Sequence, residues 1–191
     1  MNIPNSISLG RLIVLTPLFV VVLLVWESPF WALMVLVVLG VTDWADGFIA
    51  RRFDLITDLG KKLDPIADRV SQFVVCVTLV VAGIVPLWMA VVLLVADLLL
   101  GVTALVTKPG IVPVRWMGRL RTVLLMVGFP LLLLIEWLAP GDAGLELFGL
   151  VVVGVGVVLH ALANVEYTVR LIVGRRRVDT EASVLAARQR G

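Results

Sequence analysis

The chain alternates long apolar runs with short polar breaks, and its bases fall at or close to every second break. Roughly, the runs cover 10–26, 30–50, 64–83, 85–107, 118–138 and 145–173. A helix of about 20 apolar residues crosses the hydrocarbon core of a bilayer. Inside lipid, every backbone N–H and C=O must find a partner within the protein, which leaves helices or a closed barrel. Continuous apolar runs of this length, without strict alternation, predict helices. The breaks carry the expected punctuation: Glu27-Ser28-Pro29, a polar loop over 52–62, Gly83, Pro109-Gly110 with Pro113, and Pro140-Gly141-Asp142. Asp64-Pro65 is read as the start of the third run, with proline in a first helical turn, and Val85-Pro86 as the start of the fourth. With 61% hydrophobic residues, 16% charged residues and a mean hydropathy of +1.10 over 191 residues, the chain is too apolar for a soluble domain. The expected fold class is an all-α integral membrane protein with six transmembrane helices.

Charge sets the expected orientation. The 16 Lys and Arg residues all lie on the N-terminal side of such a bundle or just inside it, while Glu27, Glu136, Asp142 and Glu146 mark the opposite side. Bases collect on the cytoplasmic side, so both termini are expected there. Arg11 followed by an apolar stretch could suggest a signal peptide, but no small-residue cleavage site follows, and an uncleaved first span is expected. Cys76 is the single cysteine, so no intrachain disulfide forms and packing is its expected role. The organisation expected is one membrane domain over 1–174 and a basic cytoplasmic tail over 175–191 that frays. The cell's inner (cytoplasmic) membrane is the expected location.

Between the second and third runs lies D-W-A-D-G-F-I-A-R-R-F-D-L-I-T-D-L-G-K-K-L-D-P-I-A-D, from Asp43 to Asp68. Asp43 and Asp46 are three apart, and Asp64 and Asp68 four apart, so on helices each pair shares a face. Carboxylates this close repel unless a cation neutralises them. Oxygen ligands suit Mg2+ or Mn2+, commonly shared with substrate phosphates. The bland alternative, solvated helix ends, explains one such pair better than two flanking Gly47, Ala50 and Arg51. Gly47 permits close approach of a ligand, and Arg51 offers a planar fork to phosphate oxygens. The residues point to a metal-dependent enzyme acting on a phosphate-bearing substrate from the cytoplasmic face. A divalent-cation transporter is the competing class, but the carboxylates cluster at one face and Asp97 lies alone deep in another span.

The spacing Asp43-x2-Asp46-Gly47-x2-Ala50-Arg51-x8-Gly60-x3-Asp64-x3-Asp68 resembles, without a gap, the signature of the CDP-alcohol phosphotransferases. Eight fixed positions make the motif specific, and the six-span layout extends the resemblance over most of the chain. It implies transfer of a substituted phosphate from a CDP-linked donor to an alcohol, with release of CMP. Two metals are implied: Asp43 and Asp64 would touch both, Asp46 the first and Asp68 the second, with Asp68 also the general base. Gly47, Arg51 and Gly60 would hold the CDP part, with Thr57 a phosphate or ribose contact. Asn5 and Ser8 of the opening segment would touch the nucleotide. A homodimer is implied; no nucleic acid partner is expected.

The opening N-I-P-N-S-I-S-L-G-R, the stretch K-K-L-D-P-I-A-D-R and Gly118-Arg119-Leu120-Arg121-Thr122 resemble the corresponding parts of bacterial phosphatidylglycerophosphate synthases and related cardiolipin synthases. This implies CDP-diacylglycerol as donor and glycerol 3-phosphate as acceptor. Phosphatidylglycerol and inositol phosphate are the alternatives. Arg115, Arg119 and Arg121 are the candidates for the acceptor phosphate, with Lys61 and Lys62 behind them; anchoring to anionic lipid is the other reading. The sequence departs from those synthases at Ala96, which stands where an arginine before the acidic residue, here Asp97, is usual. That departure leaves room for the other acceptors. Asp97 is expected to pair with an arginine or to line the cavity. His160 is expected to pack or to make one hydrogen bond. Asn164, Glu166 and Tyr167 read either as cavity border or as helix-end polarity. Gly149, Gly154 and Gly156 permit close helix contact.

Overall fold

The computed structural model describes residues 10–52, 60–107 and 116–188; within these, the side chains at 44, 46–51, 60–65, 117 and 174–188 lie outside the described set. Among the described residues all regular structure is helical. Helix α1 spans Arg11–Leu24, α2 Pro29–Arg52, α3 Gly60–Val81, α4 Leu87–Thr107, α5 Trp116–Leu138 and α6 Ala143–Arg188. The first turn of α1, Arg11–Leu15, is a π-helix, and its last bond runs from the Thr16 N–H to the Arg11 carbonyl. Such wide turns are rare and frequently mark functional positions.

The helix ends follow from local chemistry. After α1, Glu27 adopts a left-handed φ of 50° and Trp26 N–H reaches back to the Val21 carbonyl at 3.1 Å. Gly83, at φ 79°, ends α3, and Ile84 N–H closes onto the Leu79 carbonyl at 2.9 Å. Only glycine adopts that φ without steric cost. Asp142 caps α6: its Oδ1 accepts from Gly144 N–H and Leu145 N–H, each at 3.0 Å, which satisfies two donors that the first turn leaves open.

Two boundaries differ from the sequence reading. Helix α3 begins at Gly60, so Pro65 falls in its second turn and not its first. There its missing N–H removes one internal bond near the helix start. Helix α6 runs on to Arg188 where a frayed tail was expected. Beyond Gly174 the chain has no Gly or Pro before Gly191 and is rich in Arg and Ala, so nothing local stops the helix.

Three described helical segments are long and apolar enough to cross a membrane: Leu87–Thr107, Gly118–Leu138 and Ala143–Val173. Arg11–Leu24 and Pro29–Asp43 are apolar but shorter. Helix α3 differs because Lys61, Lys62, Asp64, Asp68 and Arg69 crowd its first half. The outer surface is apolar; Leu105 is 78% exposed, and Trp26, Val102, Val123 and Leu147 are exposed as well. A surface of this kind suits lipid and would be a liability in water.

Inside, Phe19, Leu79, Leu93, Leu133, Val153 and Val157 are fully buried. Helix α6 packs on α5 and α4, α2 on α5 and α1, and α3 on α4 and α1. Close packing of α5 on α6 uses small residues, as expected where lipid supplies no hydrophobic drive between helices. A Cβ on Gly128 would meet Val153 Cγ2 at 2.8 Å, and one on Gly149 would meet Leu132 Cδ2 at 2.7 Å. Gly156 faces Leu125, and Gly154 faces Met89 of α4. The three α6 glycines singled out from sequence thus serve contacts within the chain.

Candidate active site

Arg11 opens α1 and is only 5% exposed. Its guanidinium Nη1 donates to Asp43 Oδ1 on α2, and its Nη2 donates to Asp68 Oδ1 on α3. One cation therefore ties together two of the expected metal ligands, 25 residues apart in sequence. The carboxylates are about half exposed, at 43% and 50%, while the arginine lies beneath them. Thr16 fixes the pivot: its Oγ1 lies 3.3 Å from the Arg11 carbonyl oxygen and 3.1 Å from Ser71 Oγ. Ser71 sits on α3, nearly one turn beyond Asp68.

These groups line a cavity of about 160 Å³. Arg11, Asp43, Asp68, Ser71 and Gln72 form its polar end; Leu36, Leu125, Phe129 and Pro130 form its apolar wall. Pro130 lies inside α5, where a proline breaks one backbone bond and bends the helix. Gly40, one turn before Asp43, faces the Met126 methyl of α5 and keeps that wall close. A polar end opening onto an apolar wall suits a substrate with a charged head and a hydrocarbon body.

The other expected site residues divide by what is described. Asp46, Gly47 and Arg51 lie on α2, and Gly60 and Asp64 on α3, by their backbones. Asp46 is three residues beyond Asp43, and Asp64 four before Asp68, so both belong to the same ends of the same two helices. Asn5, Ser8, Thr57 and Arg115 lie outside the described residues. The donor set fits a hard divalent cation: carboxylates from two helices already share one positive group, and oxygen is the ligand such ions prefer.

A second polar cluster lies deeper. Asp97 on α4 accepts from Asn164 Nδ2 at 2.8 Å and from His160 Nε2 at 2.9 Å, both on α6. Arg69, the residue after Asp68, approaches the same Oδ1 at 3.3 Å. Arg121 on α5 donates from Nη1 to Asn164 Oδ1, and to the His160 carbonyl at 3.4 Å. Asn164 is fully buried and His160 nearly so. The cluster draws on all four helices α3 to α6, and it begins one residue from Asp68.

Asp97 thus has its arginine, as expected, and more partners besides. His160 makes the hydrogen bond expected of it. Asn164 belongs to the interior and not to a helix end, whereas Glu166 pairs with Arg170 at 2.6 Å, one turn away. Arg119 is exposed, and Arg121 is drawn inward. Residues two apart on a helix point to different sides. The Nε of Arg121 is buried without a hydrogen-bond partner among the described residues, which leaves a donor for an added anion. The sequence reading gave Arg11 no part in the site; its one sequence trace is that it ends the opening stretch N-I-P-N-S-I-S-L-G-R.

Comparison with known proteins shows the family of the chain. The family profile described as CDP-alcohol phosphatidyltransferase matches residues 1–177. A cardiolipin synthase (CMP-forming) of Streptomyces coelicolor is 38% identical over 182 residues, covering 90% of this chain and 83% of that protein. A putative cardiolipin synthase of Mycobacterium tuberculosis is 41% identical over 137 residues, covering 70% of this chain and 65% of that protein. A CDP-diacylglycerol–glycerol-3-phosphate 3-phosphatidyltransferase of Escherichia coli is 35% identical over 156 residues, covering 77% and 85%. With the profile match over nearly its whole length and the carboxylates of two helices gathered at one cavity, the chain belongs to the CDP-alcohol phosphatidyltransferase family.

Proposed function

We propose that the protein transfers the phosphatidyl group of CDP-diacylglycerol to a glycerol hydroxyl beside a phosphate and releases CMP. The observation that carries this reading is the convergence of Asp43 and Asp68 at a cavity whose far wall is apolar. In this reading Asp43, Asp46, Asp64 and Asp68 hold two divalent ions, Mg2+ or Mn2+. Bound there, the ions would neutralise the diphosphate and the charge that develops on the leaving CMP. Asp68 takes the proton of the acceptor hydroxyl. That oxygen bonds to the phosphatidyl phosphorus as the bond from this phosphorus to the CMP oxygen breaks. Gly47, Arg51 and Gly60 hold the CDP part, with Asn5, Ser8 and Thr57. The acyl chains lie along the wall of Leu36, Leu125 and Phe129. Arg121 holds the acceptor's phosphate; Arg119, at the same end of α5, meets anionic headgroups or guides the acceptor in, and Arg115 does the same.

The reading includes six spans, with α1 to α3 completing the three longer ones, both termini in the cytoplasm and the site open to that side of the inner membrane. Its basis is the one-sided distribution of Lys and Arg. It also includes a homodimer, a membrane domain over 1–174 and a basic tail over 175–191.

Two acceptors carry the required unit. Glycerol 3-phosphate is the acceptor expected from the sequence motifs, and the Escherichia coli relative is named for it. Phosphatidylglycerol is favoured by one observation: the Streptomyces and Mycobacterium relatives are named cardiolipin synthases; Ala96, where an arginine is usual in both kinds of synthase, leaves room for it. The deciding experiment offers purified protein CDP-diacylglycerol and Mg2+ with glycerol 3-phosphate, phosphatidylglycerol or inositol phosphate in turn. CMP release with either glycerol acceptor supports the proposal and names the acceptor. Release with inositol phosphate alone, or with none, refutes it.

A further inference from the structure

Arg11 sits where a cation is needed. Its two terminal nitrogens take one oxygen each from Asp43 and Asp68, and both aspartates are assigned above to the metals. A guanidinium fork matches carboxylate geometry and loses less by leaving water than an ammonium does. Without metal, four carboxylates at the ends of two helices repel one another. With two divalent ions their charge is balanced, and a guanidinium among them is then surplus and repelled.

We propose that Arg11 is the resident counter-ion of the metal-free site and competes with divalent metal for Asp43 and Asp68. The proposal rests on the reading of the aspartates as metal ligands. The pivot is built for such an exchange. The Arg11 carbonyl accepts from the Thr16 N–H and from the Thr16 hydroxyl, which is itself tied to Ser71 Oγ on α3, so the residue stays in place while its side chain swings. Long flexible side chains exchange partners at little cost when the new partner is also ionic. The displaced guanidinium remains within the same cavity, where the donor's diphosphate anion is the group of opposite charge. Arg11 is thus a positioning and binding group that alternates between carboxylates and substrate.

The test is Mn2+ binding to the purified full chain in detergent, followed by the loss of the free-ion paramagnetic signal, with no substrate present. Wild type is compared with Arg11→Gln and Arg11→Lys. Lysine keeps the charge but cannot fork across two carboxylates. If Arg11 competes for ligand oxygens, both variants bind Mn2+ about tenfold more tightly, equivalent to about 1.4 kcal/mol. In the presence of chelator, both variants also melt at a lower temperature than wild type. If Arg11→Gln binds no tighter, Arg11 does not compete and the proposal fails. If Arg11→Gln tightens and Arg11→Lys matches wild type, the effect is one of charge alone and the occupancy claim fails. Should Arg11→Gln not fold, Arg11→Lys alone still decides. If wild type itself binds no Mn2+, the metal-ligand reading falls first, and this proposal with it.

Discussion

His160 Nε2 lies 2.9 Å from Asp97 Oδ1, joining α6 to α4 in the middle of an apolar bundle. The contact is one edge of a cluster that reaches Arg69, next to Asp68, at one end and Arg121 at the other. A buried carboxylate among apolar helices is tolerated only with such partners. The cluster therefore sets the position of Arg69, the residue after Asp68, and of Arg121.

The first expectation concerns Asp97. Asp97→Asn keeps the shape and some hydrogen bonding; interhelical hydrogen bonds in membranes average only about 0.6 kcal/mol. Asp97→Ala strands Arg69 and His160; removal of one partner of a fully buried pair costs about 3–5 kcal/mol, and this part-buried pair should lose less than that but more than the Asn variant. Thermal unfolding in detergent should show a small shift for Asn and a larger loss for Ala. Equal, small shifts would mean that the cluster carries little of the fold.

Arg121 and Arg119 should separate. Arg121 lies inside with an unused Nε, and Arg119 is exposed. A hydrogen bond to a charged group contributes about 1.5–3 kcal/mol, so Arg121→Ala should raise the acceptor KM by about tenfold or more. Its effect on the CDP-diacylglycerol KM should be small. Arg119→Ala should change neither by more than about twofold, as expected for exposed charges. Steady-state kinetics with each substrate varied separately will show it; equal effects on both substrates would remove Arg121 from the acceptor subsite.

Gly128 tests the packing of α5 on α6. A Cβ there lies 2.8 Å from Val153 Cγ2, and Gly128→Val adds two further methyl groups. Overpacking costs about 1–3 kcal/mol, so the thermal midpoint should fall clearly. By contrast Gly101→Ala, in α4 with nothing within 4 Å, should leave it unchanged or slightly raised. No difference between the two would mean that α5 and α6 are not so closely packed.

Metal removal supplies a fourth check. Chelator should stop CMP release, and Mg2+ or Mn2+ should restore it, since oxygen donors prefer these hard ions. Turnover that persists in chelator would exclude the aspartates as metal ligands.

Much of this was legible in the sequence because it is local. Apolar run lengths anticipated the six helices of the described residues, and the Gly83 and Pro140-Gly141-Asp142 breaks fell where the structure turns. The spacing of Asp43, Asp46, Asp64 and Asp68 marked the ends of the two helices from which Asp43 and Asp68 meet at one cavity. What could not be read depends on distant pairs. Arg11 meets partners 32 and 57 residues away, and Asp97 meets His160 and Asn164 at separations of 63 and 67. No periodicity encodes such meetings. A lone mid-span aspartate signals that a partner exists without naming it. The start of α3 was misplaced because a proline favours the first turn statistically, yet the helix accommodates it one turn later.

The central claim is CMP-forming transfer that depends on the aspartate site, and Asp68→Asn tests it most directly. Asparagine keeps the size of the side chain and can still accept from Arg11, but it cannot take a proton from the acceptor hydroxyl or supply a carboxylate to metal. General-base removal alone costs about 10²–10⁴-fold. The measurement is CMP release from CDP-diacylglycerol by wild type and Asp68→Asn, with thermal unfolding run alongside. The account predicts robust release by wild type, at least a hundredfold less by a variant of normal stability, and none without an acceptor. Full turnover by a folded Asp68→Asn protein would contradict it.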